Sequence, residues 1–260
     1  MNSIKYFFAQ SRYNIKNAHA LSASFWTGVI GMVLNNLTFF IIWMLFMQAT
    51  GPINGWTSFD VFGMLGASIF CYGIMHSFFY GIVDLPDNVL KGSFDTVLLS
   101  PVNAFLKLSS SSFSITAYGD LLQGVVVMFL YGILSGFSVS SWIFYISGTI
   151  AGCVVLVCFR LLGALVAFFM NDSSIISRQL FELFLRPSLY PGAVFPRGLK
   201  IFFMTALPTL LTSAVPIYIL KGNSAQLLIF TILITLVWVL ITYAVFRISI
   251  RRYESGNYLR

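Results

Sequence analysis

An all-α integral membrane protein with six transmembrane helices is the fold class this sequence predicts, and three observations predict it. Hydrophobic residues make up 58% of the 260 residues and charged residues only 9%, with a mean hydropathy of +0.88. A soluble domain carries roughly 25% charged residues, so a solvated surface cannot be built from this chain. The apolar residues fall in runs long enough to cross a hydrocarbon core roughly 30 Å thick, which takes about 20 helical residues. Those runs lack the period-two alternation over about 10 residues that marks the strand of an outer-membrane barrel. Helices remain as the way to satisfy the backbone in lipid.

The elements follow in order. Residues 1–22 read as an interfacial helix: at 100° per residue, Lys5, Arg12 and Lys16 fall on one line. Ile4, Phe7, Phe8, Ile15 and Ala18 fall opposite, as in a helix lying in the headgroup plane. Spans are expected at 25–47, 59–83, 113–137, 142–170 and 227–248, with a weaker fifth-in-order span at 174–190. The connections are too short for a soluble domain, so residues 1–260 are expected to form one membrane domain. The first apolar run is too long for the h-region of a cleaved signal, and none is expected.

Lys and Arg mark the cytoplasmic side. Lys5, Arg12 and Lys16 lie in the N-terminal segment, Lys91 and Lys107 between spans two and three, and Arg247, Arg251, Arg252 and Arg260 at the C-terminal end. The first and third connections, 48–58 and 138–141, have none. Both termini are therefore expected in the cytoplasm, with Arg197, Lys200 and Lys221 as exceptions outside. The net charge of +7 is then positive-inside bias and attraction to anionic lipid, not a nucleic-acid signal. Cys71, Cys153 and Cys158 all lie in apolar runs and read as small buried hydrophobes, with neither a disulfide framework nor a metal site.

The loop at 84–108 is long for a helix–helix connection, for which 2–8 residues is usual. Val89, Leu90, Phe94, Val97, Leu98 and Leu99 recur at roughly helical spacing, with Asp87, Lys91 and Asp95 between them. Asp87 and Lys91 are four apart and can pair, Gly92 interrupts the segment, and Pro101 stops it. Such a helix exposes an apolar edge unless a partner or the membrane surface covers it.

Charges inside the membrane are the other candidates for function. Arg178, Glu182 and Arg186 are spaced i, i+4, i+8 and form one stripe, which should face protein or water. Asp120 and Arg160 lie on consecutive spans and are expected to pair and pin them. His76 is expected to be a packing residue, and the glycosylation triplet at Asn36 sits too deep in the membrane to count. The segment 195–220 is apolar but broken by Pro196, Pro208 and Pro216. Broken backbone at membrane depth is tolerated only against protein or a cavity, so two short re-entrant pieces from the outer face are expected within 191–222.

Three segments together resemble the permease subunits of type-two bacterial ABC exporters. They are Lys91-Gly-Ser-Phe-Asp-Thr-Val-Leu-Leu-Ser-Pro-Val-Asn103, then Tyr190-Pro-Gly-Ala-Val-Phe-Pro-Arg-Gly-Leu-Lys200 with Ala206-Leu-Pro208 and Val215-Pro216, and Arg251-Arg252-Tyr253-Glu254-Ser255-Gly256. The resemblance covers nearly the whole chain in order. Gly256 departs from the small Ala-like residue often found there. The resemblance implies a second permease chain, identical or related, and two cytoplasmic ATPase subunits in a bacterial inner membrane. It makes Asp87, Leu90, Lys91, Gly92, Phe94, Asp95, Leu98 and Pro101 a coupling helix that docks on the ATPase. It makes Pro191, Pro196, Pro208 and Pro216 part of extracellular re-entrant helices.

The chain has no G-x-x-x-x-G-K-[ST] phosphate loop. It is therefore expected to be no enzyme and to bind no cofactor, with ATP and Mg²⁺ held by the partner. The aromatic load, 27 Phe and 12 Tyr, with few mid-membrane polar residues, suits an amphiphilic cargo such as a lipid, peptide or drug entering from the inner leaflet. Phe94→Asp is expected to uncouple transport without unfolding. Two rivals remain: a carrier driven by protons or sodium, for which no internal repeat is visible, and a lipid-acting enzyme, for which the acids are too scattered.

Overall fold

A computed structural model describes residues 2–20, 22–170 and 173–253. Among them there is no strand, only an isolated bridge between Ile53 and Trp56. The helices in order are α1 (Ser3–Ala20), α2 (Ser22–Thr50), α3 (Ser58–Phe78), α4 (Leu85–Leu90), α5 (Asp95–Leu98), α6 (Ala104–Ser109), α7 (Ala117–Leu134) and α8 (Val139–Ala164). They continue as α9 (Ser173–Ser188), α10 (Arg197–Thr205), α11 (Ala214–Gly222) and α12 (Ala225–Arg251). Among the described residues, five helices are long and apolar enough to cross a membrane: α2, α3, α7, α8 with its 3₁₀ extension to Phe168, and α12.

The weak fifth-in-order span becomes α9, whose 16 residues measure about 24 Å at 1.5 Å per residue. Its Arg178, Glu182 and Arg186, and Pro187 in its last turn, dilute the apolar signal. Two other boundaries move inward. α3 stops at Phe78 and passes into a 3₁₀ turn, Tyr80–Ile82. α7 starts at Ala117, because the chain before it runs open and Ser114 N donates to the exposed end of α3 at His76 O (3.2 Å).

α3 is the centre of the bundle. Its backbone touches α7 through paired glycines: a Cβ on Gly73 would lie 2.5 Å from Leu121 N, and one on Gly124 2.6 Å from Phe70 N. Without a hydrophobic drive between helices in lipid, such close approach supplies the packing energy. Tyr145, fully buried on α8, donates to Gly63 O at 2.7 Å and ties α8 to α3. Cys71 and Cys153 meet across the same interface with sulfurs 3.3 Å apart, and all three cysteines are buried free thiols. α2 and α12 lie on the outside, and Ile30, Leu34, Ile41, Leu233, Leu236 and Leu240 expose apolar surface that lipid can cover.

α1 does not simply float. Phe7 and Ile15 are half-buried against the chain, while Lys5, Arg12 and Lys16 are exposed. Ser11 and Asn14 are buried on the inner side, and Asn14 Nδ2 donates to Ser110 O at 3.1 Å. Ile4 and Phe8 remain exposed beside the basic line. The side chain of Ala18 lies outside the described residues.

Candidate coupling surface and intramembrane polar groups

The 84–108 loop folds into α4, a turn, α5 and α6. Gly92 sits at φ +68°, the left-handed region that ends α4 and lets α5 turn back. Phe94 then points inward. It is fully buried, its ring edge-on to Phe168 at 5.3 Å and to Tyr253 at 5.2 Å. This corrects the expectation that Phe94 is a docking residue: helical spacing identifies a face but not which way it points. The exposed edge consists of Asp87, Leu90, Lys91, Leu98, Leu99 and Pro101, with Leu99 85% exposed. Gly92 and Asp95 are half-buried. Asp87 and Lys91 both face solvent and close no ion pair among the described residues.

Two segments far along the chain hold this loop. From α1, Ser3 Oγ accepts from Asn103 N at 3.0 Å, and Tyr6 Oη accepts from Lys107 Nζ at 2.7 Å. From the C-terminal end of α12, Tyr253 seats its ring on Phe94 and donates to Gly92 O at 3.4 Å. Burial, and then a hydrogen bond to the Asp95 carboxylate, push the Tyr253 phenol up to about 12. Arg252 stacks on Phe169, with Cζ 5.1 Å from the ring centre. Arg251 and Arg252 are exposed; Glu254, Ser255 and Gly256 lie outside the described residues.

Asp120 and Arg160 do not pair, which corrects the second expectation. Asp120 faces α2, where Asn36 Nδ2 donates both to Asp120 Oδ1 at 2.6 Å and to Gln123 Oε1 at 3.0 Å. Arg160 turns toward α9 and donates from Nη1 to Ser177 O (3.1 Å) and Ser177 Oγ (2.9 Å), its Cζ 5.1 Å from the Phe181 ring centre. Sequence order puts these charges on neighbouring helices but says nothing of each helix's rotation. The glycosylation triplet at Asn36 gives no hint of this role; its depth in the membrane is the signal that it needs a polar partner.

Arg178, Glu182 and Arg186 lie together on the outward face of α9, all exposed. Arg186 Nε and Glu182 Oε2 are 3.7 Å apart, while Arg178 closes no ion pair among the described residues. His76 packs as expected: its Nδ1–H donates to Tyr72 O at 3.1 Å and its ring stacks on Tyr72 at 3.9 Å.

The prolines divide the segment after α9. Pro191 opens a 3₁₀ turn, Pro196 precedes α10, and Pro208 opens a second 3₁₀ turn at Thr209–Thr212. Pro216 sits in the first turn of α11, where its missing N–H costs nothing. The second 3₁₀ turn is buried against α8, where a Cβ on Gly152 would lie 2.4 Å from Leu211 O. α10 has no buried residue. One contact had no sequence expectation: Lys221 Nζ binds Asp60 Oδ2 at 2.8 Å and Gly55 O at 2.6 Å. Thr57 and Asp60 also form the capping box of α3, a spacing that was legible.

A cavity of about 570 Å³ opens between α2 and the exit of α9, with Ile42, Trp43, Phe46, Ile53, Tyr190 and Val194 in its wall. Among the described residues no group of three or more His, Cys, Asp or Glu can hold a metal ion.

Residues 33–256 match the model of a family described as ABC-2 family transporter protein. A search of curated proteins found no match. The matched stretch runs from α2 through the loop, the proline-broken segment and the end of α12. On that coverage, the chain belongs to the ABC-2 family of membrane transporter proteins.

Proposed function

We propose that this multi-pass membrane protein is the transmembrane subunit of an ATP-driven export complex that moves an amphiphile across a bacterial inner membrane. Membership of the family implies ABC ATPase partners in general. The observation that carries the specific reading is the exposed apolar edge of Leu90, Leu98 and Leu99, mounted on a loop anchored by buried Phe94. An exposed apolar ridge on a rigid base is what a docking partner covers. With both termini in the cytoplasm, that ridge faces the ATPase. A push on it would reach α3, α9 and α12, which meet at the base of the loop.

ATP and Mg²⁺ stay on the partner, since the chain carries no phosphate loop; the permease itself is no enzyme. In this reading α9 is the fifth of six spans, α10 and α11 form the extracellular re-entrant pair, and a second permease chain completes the path. Purifying the tagged chain in mild detergent tests this. A stoichiometric ATPase subunit, lost on Leu99→Asp, supports it, and a chain recovered alone under several detergents refutes it. The buried Asn36–Asp120–Gln123 cluster gives a second reading, a carrier driven by protons or sodium. Loss of transport on adding an ionophore with ATP intact would favour that carrier.

A further inference from the structure

Arg160 is 5% exposed inside a spanning helix, yet among the described residues its hydrogen bonds go to neutral acceptors, Ser177 O and Ser177 Oγ. A buried charge ordinarily finds a counter-ion. Among the described residues no carboxylate closes a salt bridge with Arg160, although Asp84 acts on it from a distance. Asp84 Oδ2 accepts from Ser112 Oγ at 2.5 Å, Glu182 sits against Arg186 at 3.7 Å, and Asp120 Oδ1 takes the Asn36 amide at 2.6 Å. Arg178, next to Ser177 in sequence, is exposed on the same end of α9 and closes no ion pair among the described residues.

The surroundings of these two cations are aromatic. Phe181 lies under the Arg160 guanidinium, His76 is 5.9 Å from Phe181 between ring centres, and Tyr80 is 5.8 Å from His76. Tyr72 and Tyr80 are half-buried, so the corner opens sideways onto the surface of the bundle. It lies where α3, α8 and α9 meet, at the end that carries the 84–108 loop. A guanidinium with spare donors beside a second cation is built for a phosphate. Half-buried aromatic walls suit a ligand whose head is charged and whose tails are apolar.

We propose that Arg160 and Arg178, with Tyr72, Tyr80 and Phe181 as walls, bind the anionic phosphate head group of an inner-leaflet amphiphile. Its role as cargo rests on the export reading above, whereas its binding does not. The site lies at the start of α9, and the Glu182–Arg186 pair continues the polar stripe along that helix.

The test is native mass spectrometry of the full chain in mild detergent, titrated with phosphatidylglycerol and, separately, phosphatidylcholine. The wild type is expected to retain one phosphatidylglycerol with at least about tenfold preference. Arg160→Gln and Arg178→Gln should each reduce that preference severalfold, and Arg160→Lys should keep part of it. Arg178 is exposed, so its variant reports even if Arg160→Gln fails to fold. Inorganic phosphate should compete only weakly; full displacement at the lipid's own concentration would overturn the amphiphile assignment. Equal binding of both lipids, or a preference untouched in both variants, would overturn the site. Asp172 lies outside the described residues, so Asp172→Asn is added: a preference absent in the wild type but gained there would also overturn it. No ATPase is needed, so failure of this site and failure of the export reading are separate results.

Discussion

Replacing Phe94 should unfold the loop rather than merely uncouple it. The ring is fully buried and meets Phe168 and Tyr253 edge-on, so Phe94→Ala empties a site whose aromatic walls come from two distant segments. A buried Phe→Ala change costs about 3–5 kcal/mol, and two lost edge-to-face contacts place it at the upper end. For a chain of this size, each kcal/mol lowers Tm by about 2–4 °C, so a drop of about 10 °C or more is expected. Phe94→Asp would be worse, since it also buries a charge. Leu99→Asp is the matched control: at 85% exposure it should change stability by less than about 0.5 kcal/mol, yet abolish ATPase co-purification. Thermal unfolding in detergent and pull-down of the ATPase read the two effects separately. If Phe94→Ala left Tm unchanged, or if Leu99→Asp lowered it as much, the inward placement of Phe94 would be refuted.

Other outcomes follow from the same contacts. Asn36→Ala removes the shared donor of Asp120 and Gln123 and should cost about 1–3 kcal/mol in thermal unfolding, with Asn36→Gln milder. Lys221→Met should lower stability by no more than about 1 kcal/mol at low salt, and the difference should shrink at 0.5 M salt, roughly where the Debye length falls below 5 Å. The Tyr253 phenol is raised to about 12 when folded, against about 10 unfolded. Its share of stability is therefore intact below pH 10 and lost as pH rises through 12. Unfolding curves between pH 9 and 12 should fall more steeply for wild type than for Tyr253→Phe; parallel curves would contradict the raised phenol.

The long spans were legible because each is a continuous apolar run, and nothing local competes with that signal in α2, α8 or α12. α9 was only half legible: Arg178, Glu182 and Arg186 lower its hydropathy, while their four-residue spacing shows them to be one face. Rotation about the helix axis was what the sequence left open. Asp120 and Arg160 were rightly suspected as intramembrane charges, but each turned to an uncharged partner, Asn36 or Ser177, that composition does not flag. The same blindness put Phe94 on the wrong side of the loop. Its neighbour Tyr253 was legible only as part of a terminal motif, since a contact between residues 161 apart leaves no local trace.

The clasp on the loop also sets an order of events during synthesis. Asn103 needs Ser3, 100 residues earlier, whereas Gly92 waits for Tyr253, 161 residues later and just past α12. Contacts of such separation close late. The ridge of Leu90, Leu98 and Leu99 therefore acquires its rigid base only when α12 is in place. An ATPase that recognises the rigid ridge would pass over chains in which α12 has not yet docked, so the fold itself acts as a check on assembly.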